Sequence, residues 1–363
     1  MKIVSVVGAR PQFIKAAAVC RALRANHEEI LVHSGQHFDH GMSGVFFDEL
    51  EIPAPAYNLG VGGGGHGRMT GEMLGLLEEL LIETRPDWVL VYGDTNTTLA
   101  AGLAAVKLQI PVAHVEAGLR SFNREMPEEI NRVLVDHLSS LLLCPTPTAV
   151  ANLALEGVSA GVTQVGDVML DTARFFAERV DAAAVVAAHE VEAGGFYLAT
   201  VHRQATSDDP ERLAEVVTAF AALDAPVVWP MHPRTRKNLE RFGLDAVVAA
   251  SPGIRVVEPL SYLDTNGLLR GAKALLTDSG GMQKEAYFFG VPCVTLRDET
   301  EWVETVELGW NTLVGTSAEA IVREATAACP GIDSPPVYGD GHAAEACVEA
   351  LERAALQGAA AER

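Results

Sequence analysis

The chain has 363 residues, of which 48% are hydrophobic and 21% charged, and its formal net charge is −21. That length exceeds what one hydrophobic core usually holds, so two domains are expected, and the acidity argues against nucleic acid and anionic membranes as partners. No uninterrupted apolar run reaches the roughly 18 residues of a membrane span, and Met1-Lys2 passes straight into a strand-like Ile3 to Val7. A cytoplasmic protein without a targeting segment is therefore expected.

Short β-rich apolar runs alternate with longer helical patterns, the signature of βαβ units and parallel sheets. In the first half they cover Ile3 to Val7, Ile30 to His33, Trp88 to Tyr92, Val112 to Val115 and Leu141 to Cys144. The second half repeats them at Tyr197 to Val201, Val227 to Pro230, Arg255 to Val257, Ala274 to Thr277 and Pro292 to Leu296. The expectation is an α/β protein of two Rossmann-like domains, 1–170 and 171–345, with a ligand cleft between them and a helix over 346–363 packing back on the body. Ligands of open parallel sheets bind beyond the carboxyl ends of the strands, so the residues after each run carry the functional reading.

The first such segment is Gly8-Ala9-Arg10-Pro11-Gln12-Phe13-Ile14-Lys15, a turn opening a helix with two cations. A helix N-terminus favours an anion, which makes Arg10 and Lys15 candidates for a diphosphate or a neighbouring carboxylate. The run Gly60 to Gly67 has a phosphate-loop composition but no P-loop spacing and no apolar strand feeding it, and reads as a surface loop. Next come Gly93-Asp94-Thr95-Asn96-Thr97 and Glu116-Ala117-Gly118-Leu119-Arg120. If their strands are neighbours, Asp94 and Glu116 share one rim, where paired carboxylates suit acid/base work; a lone Asp94 would equally cap the next helix. Met126-Pro127-Glu128-Glu129-Ile130-Asn131-Arg132 reads as a helix start whose acids match ordinary helix electrostatics, so Glu128 gains chemical weight only beside the other two carboxylates.

In the second half, His202 and Arg203 follow one strand, and His232 follows the next. The strongest segment is Asp278-Ser279-Gly280-Gly281-Met282-Gln283-Lys284-Glu285. Ser279, Gly280 and Gly281 would offer unhindered amides to a diphosphate, and Glu285 would accept from ribose hydroxyls. The chain has no GxGxxG, so nicotinamide and flavin cofactors are not expected. Its five cysteines, Cys20, Cys144, Cys293, Cys329 and Cys347, lack the close pairs of metal or redox sites; they read as small buried hydrophobes, and no metal is expected.

Together GARPQFIK, YGDTNTTLA, HVEAGLRS, MPEEINR, VHR, DSGGMQKEA and RDETEW, in that order, resemble the non-hydrolysing UDP-N-acetylglucosamine 2-epimerase family over Gly8 to about Gly315, resuming at Tyr338 to Gly341. The resemblance implies the GT-B fold, a cofactor-free isomerase, a UDP-sugar substrate, a homodimer and a role in cell-surface polysaccharide biosynthesis. It implies that Asp94, Glu116 and Glu128 supply the acid/base chemistry, with His202 beside the diphosphate. Arg10 and Lys15 would hold the phosphate side, and Ser279, Gly280 and Glu285 the UDP. One departure is that His202-Arg203-Gln204-Ala205-Thr206 stands where the family commonly has His-Arg-x-Glu-Asn.

Asp298 to Glu304 also resembles family members that act on UDP-2,3-diacetamido-2,3-dideoxyglucuronic acid, and a GT-B glycosyltransferase or a nucleotide-sugar sensor are the rival readings. Some family members bind a second, activating nucleotide sugar through a Gln-His segment and an Arg-Gln pair. Here Gln36-His37 is followed by Asp39, and the pair reads Arg68-Met69, so activation is expected to be weak or absent.

Overall fold

The computed structural model describes residues 1–35, 47–331 and 333–361. Gln36, His37 and Asp39 lie outside the described residues. The chain forms two compact units, Met1–Arg174 with Pro336–Arg363, and Phe175–Pro335. Residues 336–345, expected with the second half, thus pack with the first. Their anchor is backbone pairing, Asp167 N–H donating to Tyr338 O at 2.8 Å.

In the first unit β1 (Lys2–Val7), β2 (Glu28–His33), β3 (Tyr57–Asn58), β4 (Trp88–Tyr92), β5 (Val112–Val115), β6 (Leu141–Cys144) and β7 (Val162–Gln164) form one sheet. Its order among the described residues is β3-β2-β1-β4-β5-β6-β7, parallel at every pairing. All of β4 is buried, as a strand covered by helices on both faces requires. One face packs Val4, Val6, Val89 and Val91 against Met73, Leu77 and Leu81 of the helix His66–Thr84 and the small Ala100, Ala101, Ala104 and Ala105 of the helix Asn96–Lys107. On the other, the helix Arg10–Leu23 contacts β1, β2 and β4, and the helix Ala343–Ala361 lies against it and β6.

The second unit orders β8 (Tyr197–Thr200), β9 (Val227–Pro230), β10 (Ile254–Val257), β11 (Ala274–Thr277), β12 (Cys293–Thr295) and β13 (Asn311–Leu313) as β10-β9-β8-β11-β12-β13, again all parallel. Successive residues of β8 feed opposite cores, Tyr197 and Ala199 into one with Trp229 and Phe220, Leu198 into the other with Phe196 and Leu275. The strand order reverses between β1 and β4 in one unit and between β8 and β11 in the other. Such switch points leave a crevice beyond the strand ends.

The glycine run has a feeding strand after all, the two-residue β3, too short for an apolar pattern to register. The run stays at the surface and ends by starting a helix at His66, whose Nδ1 faces Asn96 Oδ1 at 3.4 Å and Nδ2 at 3.1 Å. Arg68 is exposed, while Met69 packs against the core.

Candidate functional site

At the first switch point, β1 runs into Gly8 and the helix Arg10–Leu23. Gln12, wholly buried, builds the turn: its Oε1 accepts from Gly8 N at 2.9 Å and Ala9 N at 3.0 Å. Its Nε2 donates to Tyr92 O at 2.9 Å and Thr98 Oγ1 at 3.0 Å, joining the ends of β1 and β4. One turn on, Lys15 is buried and ion-paired with Glu116. Of the two partners the sequence offered Lys15, the structure supplies the carboxylate. Gly93 makes room for this pair, since a Cβ there would stand 2.8 Å from Lys15 Nζ and 3.6 Å from Glu116 Oε1.

β4 and β5 are hydrogen-bonded neighbours, so Asp94 and Glu116 do leave one rim. Thr95, and not Asp94, caps the following helix, its side chain accepting from Thr98 N at 3.4 Å. The Asp94 carboxylate instead takes Arg132 NH2 at 2.5 Å, while Asn131 Nδ2 donates to Asp94 O at 2.9 Å. Glu116 sits in the left-handed region at φ +69°, a conformation a non-glycine residue holds only when its surroundings impose it.

The helix Pro127–Leu138 is polar on its buried face, with Glu129, Asn131, Arg132 and Asp136 turned inward. Glu129 is a structural clamp whose oxygens accept from Ser121 N and Oγ and from Phe122 N, each at 2.9 Å, and pair with Arg132 NH1 at 2.9 Å. Glu128 is half-buried in the first turn. It stands four residues before Arg132, hence on the helix face that meets Asp94.

At the second switch point the Asp278 carboxylate is completely buried. It accepts from His202 N at 2.9 Å and Arg203 N at 2.8 Å, with His202 Nδ1 3.3 Å from its other oxygen. His202 and His232 face each other with ring centroids 6.0 Å apart, and His232 Nδ1 accepts from Arg234 N, the cap role of a loop histidine. Ser279 precedes the helix Gly280–Phe288, and its N–H donates to Thr277 Oγ1 at 2.9 Å. A Cβ at Gly280 would stand 2.6 Å from Glu301 Oε1, so only glycine lets that carboxylate approach the helix N-terminus. Glu301 pairs with Arg297 at 3.0 Å and Arg203 at 3.7 Å. Negative charge at this helix end is thus accommodated by the dipole and by arginines together. Glu285 is buried on the same helix, beside a Gln283 whose Oε1 takes Thr300 Oγ1 at 2.6 Å and Asn311 Nδ2 at 3.0 Å.

The structure therefore groups Lys15, Asp94, Glu116 and the Glu128 helix in one unit, and His202, Arg203, Ser279, Gly280, Gly281 and Glu285 in the other. Arg10, half-buried, opens its helix on the first rim. Gln12, Arg132 and Asp278 were not singled out from the sequence. Each lies inside a quoted motif, and the i, i+4 spacing of Glu128 and Arg132 was a usable signal for one of them.

A family model for UDP-N-acetylglucosamine 2-epimerase matches residues 21–352. The chain is 49% identical to a UDP-N-acetylglucosamine 2-epimerase homolog of Methanococcus maripaludis, over 97% of this chain and 99% of that one. It is also 49% identical to the UDP-2,3-diacetamido-2,3-dideoxy-D-glucuronate 2-epimerase of Pseudomonas aeruginosa, over 97% and 100% of the two chains. The crystal structure of Methanocaldococcus jannaschii UDP-GlcNAc 2-epimerase in complex with UDP-GlcNAc and UDP superposes with a TM-score of 0.91 at 41% identity, covering 97% of this chain and all of that one.

Proposed function

Since the chain belongs to the UDP-N-acetylglucosamine 2-epimerase family, we propose that it interconverts UDP-N-acetylglucosamine and its manno epimer without a cofactor. The observation that carries this is the pairing of β4 with β5, which sets Asp94 and Glu116 on adjacent strand ends, with Arg132 bringing the Glu128 helix to them.

The C2 hydrogen of such a sugar is not beside a carbonyl, so its loss needs the leaving group. As the C1–O bond breaks, its electron pair passes to the diphosphate and C2 becomes acidic; a carboxylate of the first unit takes the proton, leaving 2-acetamidoglucal and UDP. A carboxyl group on the opposite face then returns a proton to C2, and the UDP oxygen re-adds at C1. Positioned acids and bases contribute roughly 10²–10⁴-fold. The amides of Gly280 and Gly281, beside Ser279 whose own N–H is held by Thr277 Oγ1, act with His202 and Arg203 to stabilise the departing diphosphate, and Glu285 accepts from the ribose. Arg10 serves the phosphate side, while the charge of Lys15 serves Glu116.

Turnover in D₂O tests the scheme: deuterium is expected at C2 of the product, and unlabelled product refutes it. Incubation without an acceptor separates the rivals, since neither a glycosyltransferase nor a sensor inverts C2. A second substrate is favoured by the 49% identity to the P. aeruginosa enzyme and by the Asp298 to Glu304 segment. Comparing kcat/KM for UDP-N-acetylglucosamine and UDP-2,3-diacetamido-2,3-dideoxyglucuronic acid decides between them.

A homodimer is supported by apolar side chains on the outer face of the Glu128 segment, Phe122 at 76% exposure with Ile130 at 45% and Leu134 at 46% one helical turn apart. Sedimentation of the protein checks it, and a monomer at micromolar concentration refutes it. A reducing, cytoplasmic setting is supported by the five free cysteines.

A further inference from the structure

The two carboxylate-bearing strand ends meet at a buried histidine. β4 and β5 end side by side, Gly93 N donating to Val115 O at 3.0 Å. His114 on β5 is wholly buried beneath them. Its Nε2 lies 2.7 Å from Gly93 O, the carbonyl immediately before Asp94, and its Nδ1 lies 2.7 Å from Asp136 Oδ1. The other Asp136 oxygen accepts from Gly118 N, two residues after Glu116, at 3.1 Å and from Arg120 NH1 at 2.7 Å. Arg120 continues outward to both oxygens of Glu156, at 2.7 Å and 2.8 Å.

The hydrogen-bond inventory then fixes the protons. A carbonyl oxygen only accepts, and so does an ionised carboxylate. Burial opposes ionisation of Asp136, but His114 and Arg120 outweigh it and hold its carboxyl below the usual range. With an acceptor at each ring nitrogen, both nitrogens must donate. The charges also balance, His114 and Arg120 against Asp136 and Glu156. Other groups by the cluster are Cys144, whose thiol burial and then Asp136 push up to about 12, His137, 3.8 Å from Glu156 at the surface, and the Lys15–Glu116 pair beside Gly93.

We propose that His114 is a positioning residue: a buried imidazolium that donates at once to Gly93 O and to Asp136, and so ties together the strand ends that present Asp94 and Glu116. One ring holds the backbone next to Asp94 directly, and through Asp136 it holds the backbone just past Glu116. The catalytic consequence rests on the epimerase reading, whereas the bonding does not.

The test has a spectroscopic arm that needs no turnover. Nitrogen-15 shifts of the His114 ring in the intact protein at pH 7 are expected to report a proton on both nitrogens. A ring with one bare nitrogen at pH 7 overturns the proposal. In the kinetic arm, His114→Gln cannot donate at both ends of the ring; kcat is expected to fall about 100-fold, as for a misplaced reacting group, with UDP affinity within about two-fold of wild type. Asp136→Asn offers its amide N–H to Nδ1, leaves the proton on Nε2 and keeps the bond to Gly93 O, so it should retain at least about a tenth of wild-type kcat. Equal losses in the two variants overturn positioning in favour of charge alone. A protein inert on both UDP-sugars but with a doubly protonated ring would refute the epimerase reading and uphold the bonding.

Discussion

Gly93→Ala places one methyl group where the proposed acid/base chemistry is assembled. The backbone there has φ +60°, and the new Cβ would stand 2.8 Å from Lys15 Nζ. A left-handed alanine costs roughly 1–2 kcal/mol. To reach ordinary contact at 3.4 Å the ammonium must retreat by about 0.6 Å, which changes the direction from which it meets the Glu116 carboxylate more than the distance between them. Lysine is flexible at its end, so the added stability cost stays below the roughly 3–5 kcal/mol of deleting one partner of a buried pair. Activity is more sensitive, because a displacement of about 1 Å in a reacting group costs on the order of 100-fold; a shift of half that size should lower kcat about 10-fold.

Gly243→Ala is the control. Gly243 has φ +69° and nothing within 4 Å of where its Cβ would lie, so it carries the same backbone penalty and no collision. Urea unfolding should show both variants destabilised by about the same 1–2 kcal/mol, with any excess belonging to Gly93→Ala. Epimerisation followed by proton NMR should separate them, and calorimetry should show UDP affinity unchanged in both. If Gly93→Ala keeps kcat within about two-fold of Gly243→Ala, the Lys15–Glu116 geometry is not what limits turnover.

Glu128→Gln should lower kcat about 100-fold or more with little change in KM, as expected of a group acting mainly in the transition state; steady-state kinetics within three-fold of wild type would return Glu128 to helix electrostatics. Arg132→Lys cannot reach Asp94 and Glu129 with one planar fork, so kcat should drop about 10-fold and unfolding free energy by about 1–3 kcal/mol, both measurable on one preparation. Asp171 accepts from Ala344 N at the start of the C-terminal helix, and burial lifts its carboxyl to about 6. Since the folded protein binds that proton more tightly than the unfolded chain, the stabilisation is complete below about pH 4 and is lost as pH rises through about 6, by at most about 3 kcal/mol; Asp171→Asn should remove this slope from urea titrations across that window. Epimerisation from the manno side should start without added UDP-N-acetylglucosamine, and a lag abolished by a trace of it would show that a second-site activator is required.

The α/β class, the two-unit organisation and the central strands are legible in the chain alone, because buried parallel strands need continuous apolar runs and helices need periodic ones. The sequence also placed Asp94, Glu116, His202 and Ser279 just after strands, and Glu128 and Glu285 on the helices that follow, since turn and cap chemistry is local. The edge strands Tyr57–Asn58, Val162–Gln164 and Asn311–Leu313 escaped it: each is three residues or fewer and partly exposed, so no period can declare itself. Which polar groups face one another depends on packing between distant segments. Lys15 and Glu116 are 101 residues apart, Asp94 and Arg132 38, and His202 and Asp278 76. Nothing local in the chain distinguishes Glu128 from the buried clamp Glu129, or a helical Asp136 from a solvated one. Pairing and burial are properties of the packed sheet and helices, and they settle which charges are tied up inside the fold and which stand at its rim.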